Sequence, residues 1–179
     1  GDLDSDGVVD LAVGADGDDD GRSSAGALYI LFMTASATVG GAQKISNSEG
    51  GFAAHYTLAY ADYFGSSVAS IGDLDGDGIS ELVVGAPPTY PTDPGRVYVL
   101  FMTTSGTASA VQKISNSHGG LASHYTLDSQ DIFGCSVAPL GDMNGDGVVD
   151  FAVGARRDDD GSSAAGAFYL IFATTSGTV

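Results

Sequence analysis

The chain has 179 residues, is 43% hydrophobic, and carries 6 Lys+Arg against 23 Asp+Glu, a formal charge of −17 at pH 7. A phosphate backbone or an anionic lipid surface is repelled by such a balance, so nucleic-acid and membrane-surface binding are excluded as leading readings. With 27 Gly, no Trp and many short apolar runs, the composition points to an all-β chain of one domain or a little more.

The chain opens on Asp2-Leu-Asp4-Ser-Asp6-Gly7-Val8-Val-Asp10. The same nine-residue pattern returns as Asp73-Leu-Asp75-Gly-Asp77-Gly78-Ile79-Ser-Glu81 and as Asp142-Met-Asn144-Gly-Asp146-Gly147-Val148-Val-Asp150. Oxygen-bearing side chains fall at positions 1, 3, 5 and 9, Gly stands at 6, and the residue at 7 can offer its backbone carbonyl. A short loop wraps a hard cation in this way, as in the first nine positions of an EF-hand loop, and Ca2+ suits it better than the strictly octahedral Mg2+. The competing reading is ordinary Asp-Gly turn chemistry. It accounts poorly for three copies in one register, because a turn needs one or two such residues. The candidate ligands are therefore Asp2, Asp4, Asp6, Val8 and Asp10; Asp73, Asp75, Asp77, Ile79 and Glu81; and Asp142, Asn144, Asp146, Val148 and Asp150, for up to three Ca2+. Eleven of the 23 carboxylates lie in these loops. Crowded like charges oppose folding without metal, so the ions are expected to be structural.

Beyond the first loop, landmarks recur with a period near 70 residues. Gly1, Gly72 and Gly141 precede the loops; Gln-Lys-Ile-Ser-Asn-Ser begins at Gln43 and Gln112; His-Tyr-Thr-Leu begins at His55 and His124; Phe-Gly stands at Phe64 and Phe133. Residues 1–39 align without a gap on 141–179. The one length difference lies after Gly-Ala, where the acidic stretch 16–26 is replaced by the shorter, Pro-rich 87–95. Such repeats dictate an array of like structural units.

One whole unit runs from Phe64. A strand of small residues, Phe64–Ile71, precedes the second acidic loop; Leu82–Ala86 forms a second strand; a Pro-rich hairpin leads to Arg96–Met102, the most apolar strand. A Ser/Thr/Gly loop then leads to a polar fourth strand, Gln112–Ser117, and a connection through Tyr125–Leu127 returns to Phe133. The third strand is apolar on both faces, which in an antiparallel sheet means that both faces are covered. Four-stranded blades stacked face to face, as in a β-propeller, meet that requirement, with the polar strand at the outer edge. The boundaries expected are 1–63 for strands two to four of a first blade, 64–132 for a complete blade, and 133–179 for strands one to three of a third.

Phe64-Gly65, the acidic loop, and Gly85-Ala86-Pro87 resemble the signature of FG-GAP repeats, which build the β-propeller of integrin α subunits. The next copy keeps Phe133-Gly134 and Gly154-Ala155 but has Arg156 in place of Pro, and the first keeps Gly14-Ala15-Asp16. The phrasing of the strands is similar to repeats of large bacterial or algal surface proteins. The resemblance implies four-stranded blades, calcium on the loop between the first two strands, and extracellular adhesion or scaffolding. By it, Glu81 and Asn144 mark sites weaker than the first.

About two and a half blades are present where the family usually closes seven, and neither end is capped. Two expectations follow. Either the chain is an extracellular structural or adhesive module that self-associates head to tail through its open blade edges into a filament or coat, or it is a fragment of a larger integrin-like propeller that binds a protein or glycan ligand. No catalytic signature is present: there is no Gly-x-Ser-x-Gly, no His-Glu-x-x-His and no phosphate loop, so an enzyme is not expected. No apolar run is long enough to span a bilayer. Cys135, the single cysteine, excludes a disulfide framework and is expected to be a small buried residue. His55 and His124 are expected to be structural or at the surface. The acidic stretches 16–20 and 158–160 are expected to be solvated loop tips, with Arg156 and Arg157 pairing locally to the second.

Overall fold

A computed structural model describes residues 1–88, 92–160, 162 and 165–179. Among these described residues, ten strands fall into three antiparallel sheets. The first holds β1 (Leu11–Ala15), β2 (Ala27–Met33) and β3 (Val39–Ile45) in that order. The second holds β4 (Ser67–Ser70), β5 (Leu82–Ala86), β6 (Arg96–Met102) and β7 (Ala108–Ile114). The third holds β8 (Phe133–Gly141), β9 (Asp150–Ala155) and β10 (Ala167–Ile171). Each sheet is a meander in which sequence neighbours pair. The fold is all-β and blade-like, as in a propeller, and its only described helical pieces are single 3₁₀ turns at Phe52–Ala54 and Leu121–Ser123.

Val, Ile, Leu, Tyr and Phe dominate the central strands because such side chains fill a pleated surface between layers. In β6 every residue after Arg96 is buried. Alternation sends Tyr98, Leu100 and Met102 into a core shared with Leu28, Ile30 and Ile45 of the first sheet. Val97, Val99 and Phe101 enter a second core with Phe151, Val153, Tyr169 and Ile171 of the third. The middle sheet is thus covered on both faces. The far faces of the outer sheets are not: Leu11 and Val13 are 48% and 44% exposed on one, Phe168 and Phe172 71% and 45% on the other.

The Phe-Gly and Gly-Ala elements fasten adjacent sheets. Phe64 bridges to Gly26 and Phe133 to Gly95, each in parallel sense. Phe64 packs at a tilt against Phe52 and edge-on against Tyr98, at ring-centre distances of 4.8 and 5.8 Å. At Gly85 the backbones meet so closely that a Cβ would stand 2.0 Å from the Gly134 carbonyl oxygen, and a Cβ at Gly14 would stand 1.8 Å from that of Gly65. Gly is the only residue that fits these crossings.

Several expectations are corrected. The polar strand runs Ala108–Ile114 rather than Gln112–Ser117, because Thr103–Thr107 closes a tight turn (Thr103 N–H to Thr107 O, 2.9 Å) and frees Ala108–Val111 to pair with β6. The first strand of the middle sheet is cut to Ser67–Ser70; Gly65 and Ser66 instead make the turn from Phe64, with the Ser66 N–H on the Tyr63 carbonyl. Residues 89–91 of the Pro-rich hairpin lie outside the described residues. Cys135 is half-buried rather than buried; it lines a cavity with Ser66 and Arg156, and its Sγ donates to the Gly154 carbonyl at 3.3 Å. His55 and His124 lie at the surface.

The acidic stretches are not simply solvated tips. Asp18 and Asp20 are held by Lys44, Ser46 and Ser48, while Asp158 is buried and accepts from the Tyr169 hydroxyl at 2.6 Å. Among the described residues Arg156 and Arg157 form no ion pair; the hairpin turns Asp158 inward instead.

Candidate metal centre

Each acidic loop is closed at its base by a backbone pair: Asp10 N–H donates to Gly1 O at 2.7 Å, Glu81 N–H to Gly72 O at 2.8 Å, and Gly141 pairs with Asp150 in the β8–β9 ladder. Inside, the three loops are wired alike. The position-one carboxylates accept from the N–H of the glycine at position six: Asp2 from Gly7 at 2.9 Å, Asp73 from Gly78 at 2.9 Å, Asp142 from Gly147 at 2.8 Å. The position-three oxygens of Asp4, Asp75 and Asn144 accept from the N–H of residue five at 3.2, 3.2 and 2.9 Å. Asp6, Asp77 and Asp146 each accept at 2.8 Å from the N–H of Val8, Ile79 and Val148. These bonds turn the side chains back onto their own loop backbone, although the side chains at positions one, three and five stay exposed.

Left-handed backbone makes the reversal possible. Gly7, Gly78 and Gly147 have φ near 90°. Position four is left-handed too, in Gly76 and Gly145 and also in Ser5 at φ 64°, where a side chain costs about 1–2 kcal/mol. The nine-residue pattern marked position six only.

Carboxylate oxygens of Asp2, Asp4 and Asp6 lie within 4.8 Å of one another, as do those of Asp73, Asp75 and Glu81. The first group lacks Asp10, whereas the second includes the position-nine residue because Glu81 has one more methylene with which to reach in. Among the described residues no such acidic triad forms in the third loop. There Asn144 Nδ2 donates to Asp146 Oδ2 at 3.0 Å and occupies an oxygen that stays open in the other loops. The donor set is oxygen throughout, matching a hard cation.

Position nine does more than face the loop. Asp10 accepts from Leu3 N–H at 2.8 Å with Oδ2 and from Met33 N–H at 2.9 Å with Oδ1. Glu81 accepts from Leu74 at 2.6 Å and Met102 at 3.5 Å, and Asp150 from Met143 and Ala173 at 3.0 Å each. Met33 and Met102 stand where the ladder to the next strand slips. In the first two sheets the buried carboxylate therefore staples the loop to the irregular end of the apolar strand; in the third, Asp150 reaches Ala173, just past β10. Spacing could not reveal this second partner, although an acid buried beside two strand ends has to find donors. Burial, reinforced by Asp75 and Asp77, pushes the Glu81 carboxyl up to about 7 despite its two N–H donors. The Gly147 N–H, followed by other loop amides, holds Asp142 below the ordinary range.

Stacked antiparallel meanders, joined by close glycine crossings and carrying an oxygen-lined loop before the second strand, define a β-propeller-type repeat array. The family model for the FG-GAP repeat matches residues 64–100. The chain is 37% identical over 125 residues, 65% of its length, to integrin alpha-PS2 of Drosophila melanogaster. It is 31% identical over 160 residues, 88% of its length, to integrin alpha-4 of Xenopus laevis, and 42% identical over 96 residues, 52% of its length, to integrin alpha-3 of Cricetulus griseus. It therefore carries FG-GAP repeats of the integrin α-subunit kind. The chain spans 8%, 14% and 8% of the length of those three relatives.

Proposed function

We propose that the chain is a calcium-braced segment of an extracellular, integrin-like β-propeller, with an adhesive or structural rather than catalytic role. The observation that carries this reading is the common wiring of the three loops, with the oxygens of Asp73, Asp75 and Glu81 converging in the second. The residues that would hold Ca2+ are those at positions 1, 3, 5 and 9, joined by the carbonyls of Val8, Ile79 and Val148. A bound ion would supply positive charge where each loop crowds its carboxylates; three would bring the formal charge from −17 to about −11. We assign the blades as 1–63, 64–132 and 133–179. Surface location accords with the millimolar calcium that weak extracellular modules use, and among the described residues no helix is long and apolar enough to cross a membrane.

Calcium stoichiometry tests the assignment. The native chain takes up to three ions, and Asp75→Ala with Asp77→Ala takes one fewer. An unchanged count would refute the second site.

The exposed faces support a second reading. Leu11 and Val13 on the first sheet, and Phe168 on β10 with Phe172 just past it, occupy positions that inside the chain meet a neighbouring blade. A further blade completes each face, either from a longer parent chain, where a protein or glycan ligand is then the expected partner, or from another copy joined head to tail. Particle mass in calcium and after chelation separates these: large particles that dissolve on chelation support self-assembly, and a monomer in both conditions rules it out.

A further inference from the structure

In the first blade, Lys44, Ser46 and Ser48 surround one carboxylate. Lys44 Nζ stands 3.3 Å from Asp20 Oδ2, and the hydroxyls of Ser46 and Ser48 donate to that oxygen at 2.5 Å each. The ammonium also reaches Asp18 at 2.9 Å. The second blade repeats this Lys-x-Ser-x-Ser set as Lys113, Ser115 and Ser117, with the same burial at each position. Lys113 sits opposite Tyr98 in the ladder, as Lys44 sits opposite Tyr29. The acidic stretch that supplies Asp18 and Asp20 is replaced there by 87–95, whose single acid is Asp93.

A cavity of about 220 Å³ opens where the carboxylate would be, lined by Asp93, Arg96, Lys113, Ser115 and Ser117 among others. Asp93 does not fill the role: its carboxylate pairs with Arg96 and accepts from the Gly95 N–H. Asp62 is likewise bound to Arg96, at 3.0 Å. Among the described residues Lys113 forms no ion pair. The Ser117 hydroxyl meets His118 Nδ1 at 2.8 Å, a surface contact it can exchange for an acceptor.

We propose that Lys113, Ser115 and Ser117 form a binding site for a carboxylate, supplied by a Glu or Asp side chain of an acidic peptide segment of a partner. The first blade shows the occupied form of the same three-residue set, and there the occupant is an aspartate carried on a loop. A charged, hydrogen-bonded carboxylate satisfies one ammonium and two hydroxyls together. The two lysines differ accordingly. Burial opposes the charge on Lys44, yet hydrogen bonds with Asp18 and Asp20 outweigh it and hold the ammonium above its ordinary range. Burial, then the neighbouring Arg96, pushes Lys113 below its own.

The test is a titration of the full isotope-labelled chain, in saturating calcium, with acetyl-Gly-Glu-Gly-amide, followed by amide and Lys-Nζ NMR shifts. Saturable shifts at Lys113 and Ser115–Ser117 are expected, with none from the Gln counterpart of the peptide. Lys113→Gln weakens binding by about tenfold or more, and the surface change Ser117→Ala by about threefold with the fold intact. The proposal is overturned by no shift at these residues, by shifts confined to 73–81, by undiminished affinity in both variants, or by inorganic sulfate binding there as tightly as the peptide.

Discussion

Gly85→Ala is the sharpest probe of how the blades are joined. The new Cβ would lie 2.0 Å from the Gly134 carbonyl oxygen and 2.3 Å from Ser67 Oγ, where ordinary contact begins at 3.4 Å. Both neighbours resist. The first is backbone, and the second is held by its 2.9 Å bond to that same carbonyl. Relief requires β5 and the Phe133–Gly134 segment to part by about 1.4 Å, which loosens the core containing Val83, Phe133 and Phe151. Overpacking of this kind costs about 1–3 kcal/mol. Losing the Ser67 hydrogen bond adds about 1 kcal/mol, so about 3 kcal/mol is expected in all. With a urea slope of about 2 kcal/mol/M, the midpoint falls by about 1.5 M. Gly17→Ala is the control, because its Cβ meets nothing within 4 Å and it should cost no more than about 0.5 kcal/mol. Urea denaturation of both variants at fixed calcium decides the matter. If Gly85→Ala shifts the midpoint no more than Gly17→Ala does, the close crossing is not what fastens the blades.

Two further outcomes are expected. Asp150→Ala leaves the N–H groups of Met143 and Ala173 without their 3.0 Å acceptor, and of the two only Ala173 is buried, so the cost is about 1–3 kcal/mol for that one stranded donor; thermal melts in chelator should show this loss, and a neutral result there would leave Asp150 with a metal-facing role only. Asp20 is held at about 2, from an ordinary 3.8, by the Ser46 and Ser48 hydroxyls and then Lys44. Its folded value is depressed, so its contribution is complete above 3.8 and disappears as pH falls toward 2. The stability gap between the native chain and Asp20→Asn should close over that window in acid titrations, and a gap independent of pH would contradict the assigned bonds.

Much of this architecture is written along the chain, because its determinants are local or periodic. The near-70-residue repeat, the position-six glycines and the double-faced run Arg96–Met102 together dictate stacked antiparallel blades. Backbone φ at Gly78 and alternation in β6 depend on neighbours close in sequence, and both can be read without coordinates. What the strand pattern misplaces is the start of β7, since the tightness of the Thr103–Thr107 turn depends on hydroxyls that bond one another across it. The rest belongs to the tertiary structure. Nothing local says that Asp10, Glu81 and Asp150 each reach a strand end more than 20 residues away, that Gly85 is needed because Gly134 crosses it, or that Asp18 and Asp20 turn inward onto Lys44. These contacts link distant segments, and two physical causes lie behind them. A buried charge must find donors, and two backbones brought into contact must give up their side chains; which donors and which backbones meet is decided only when the sheets stack.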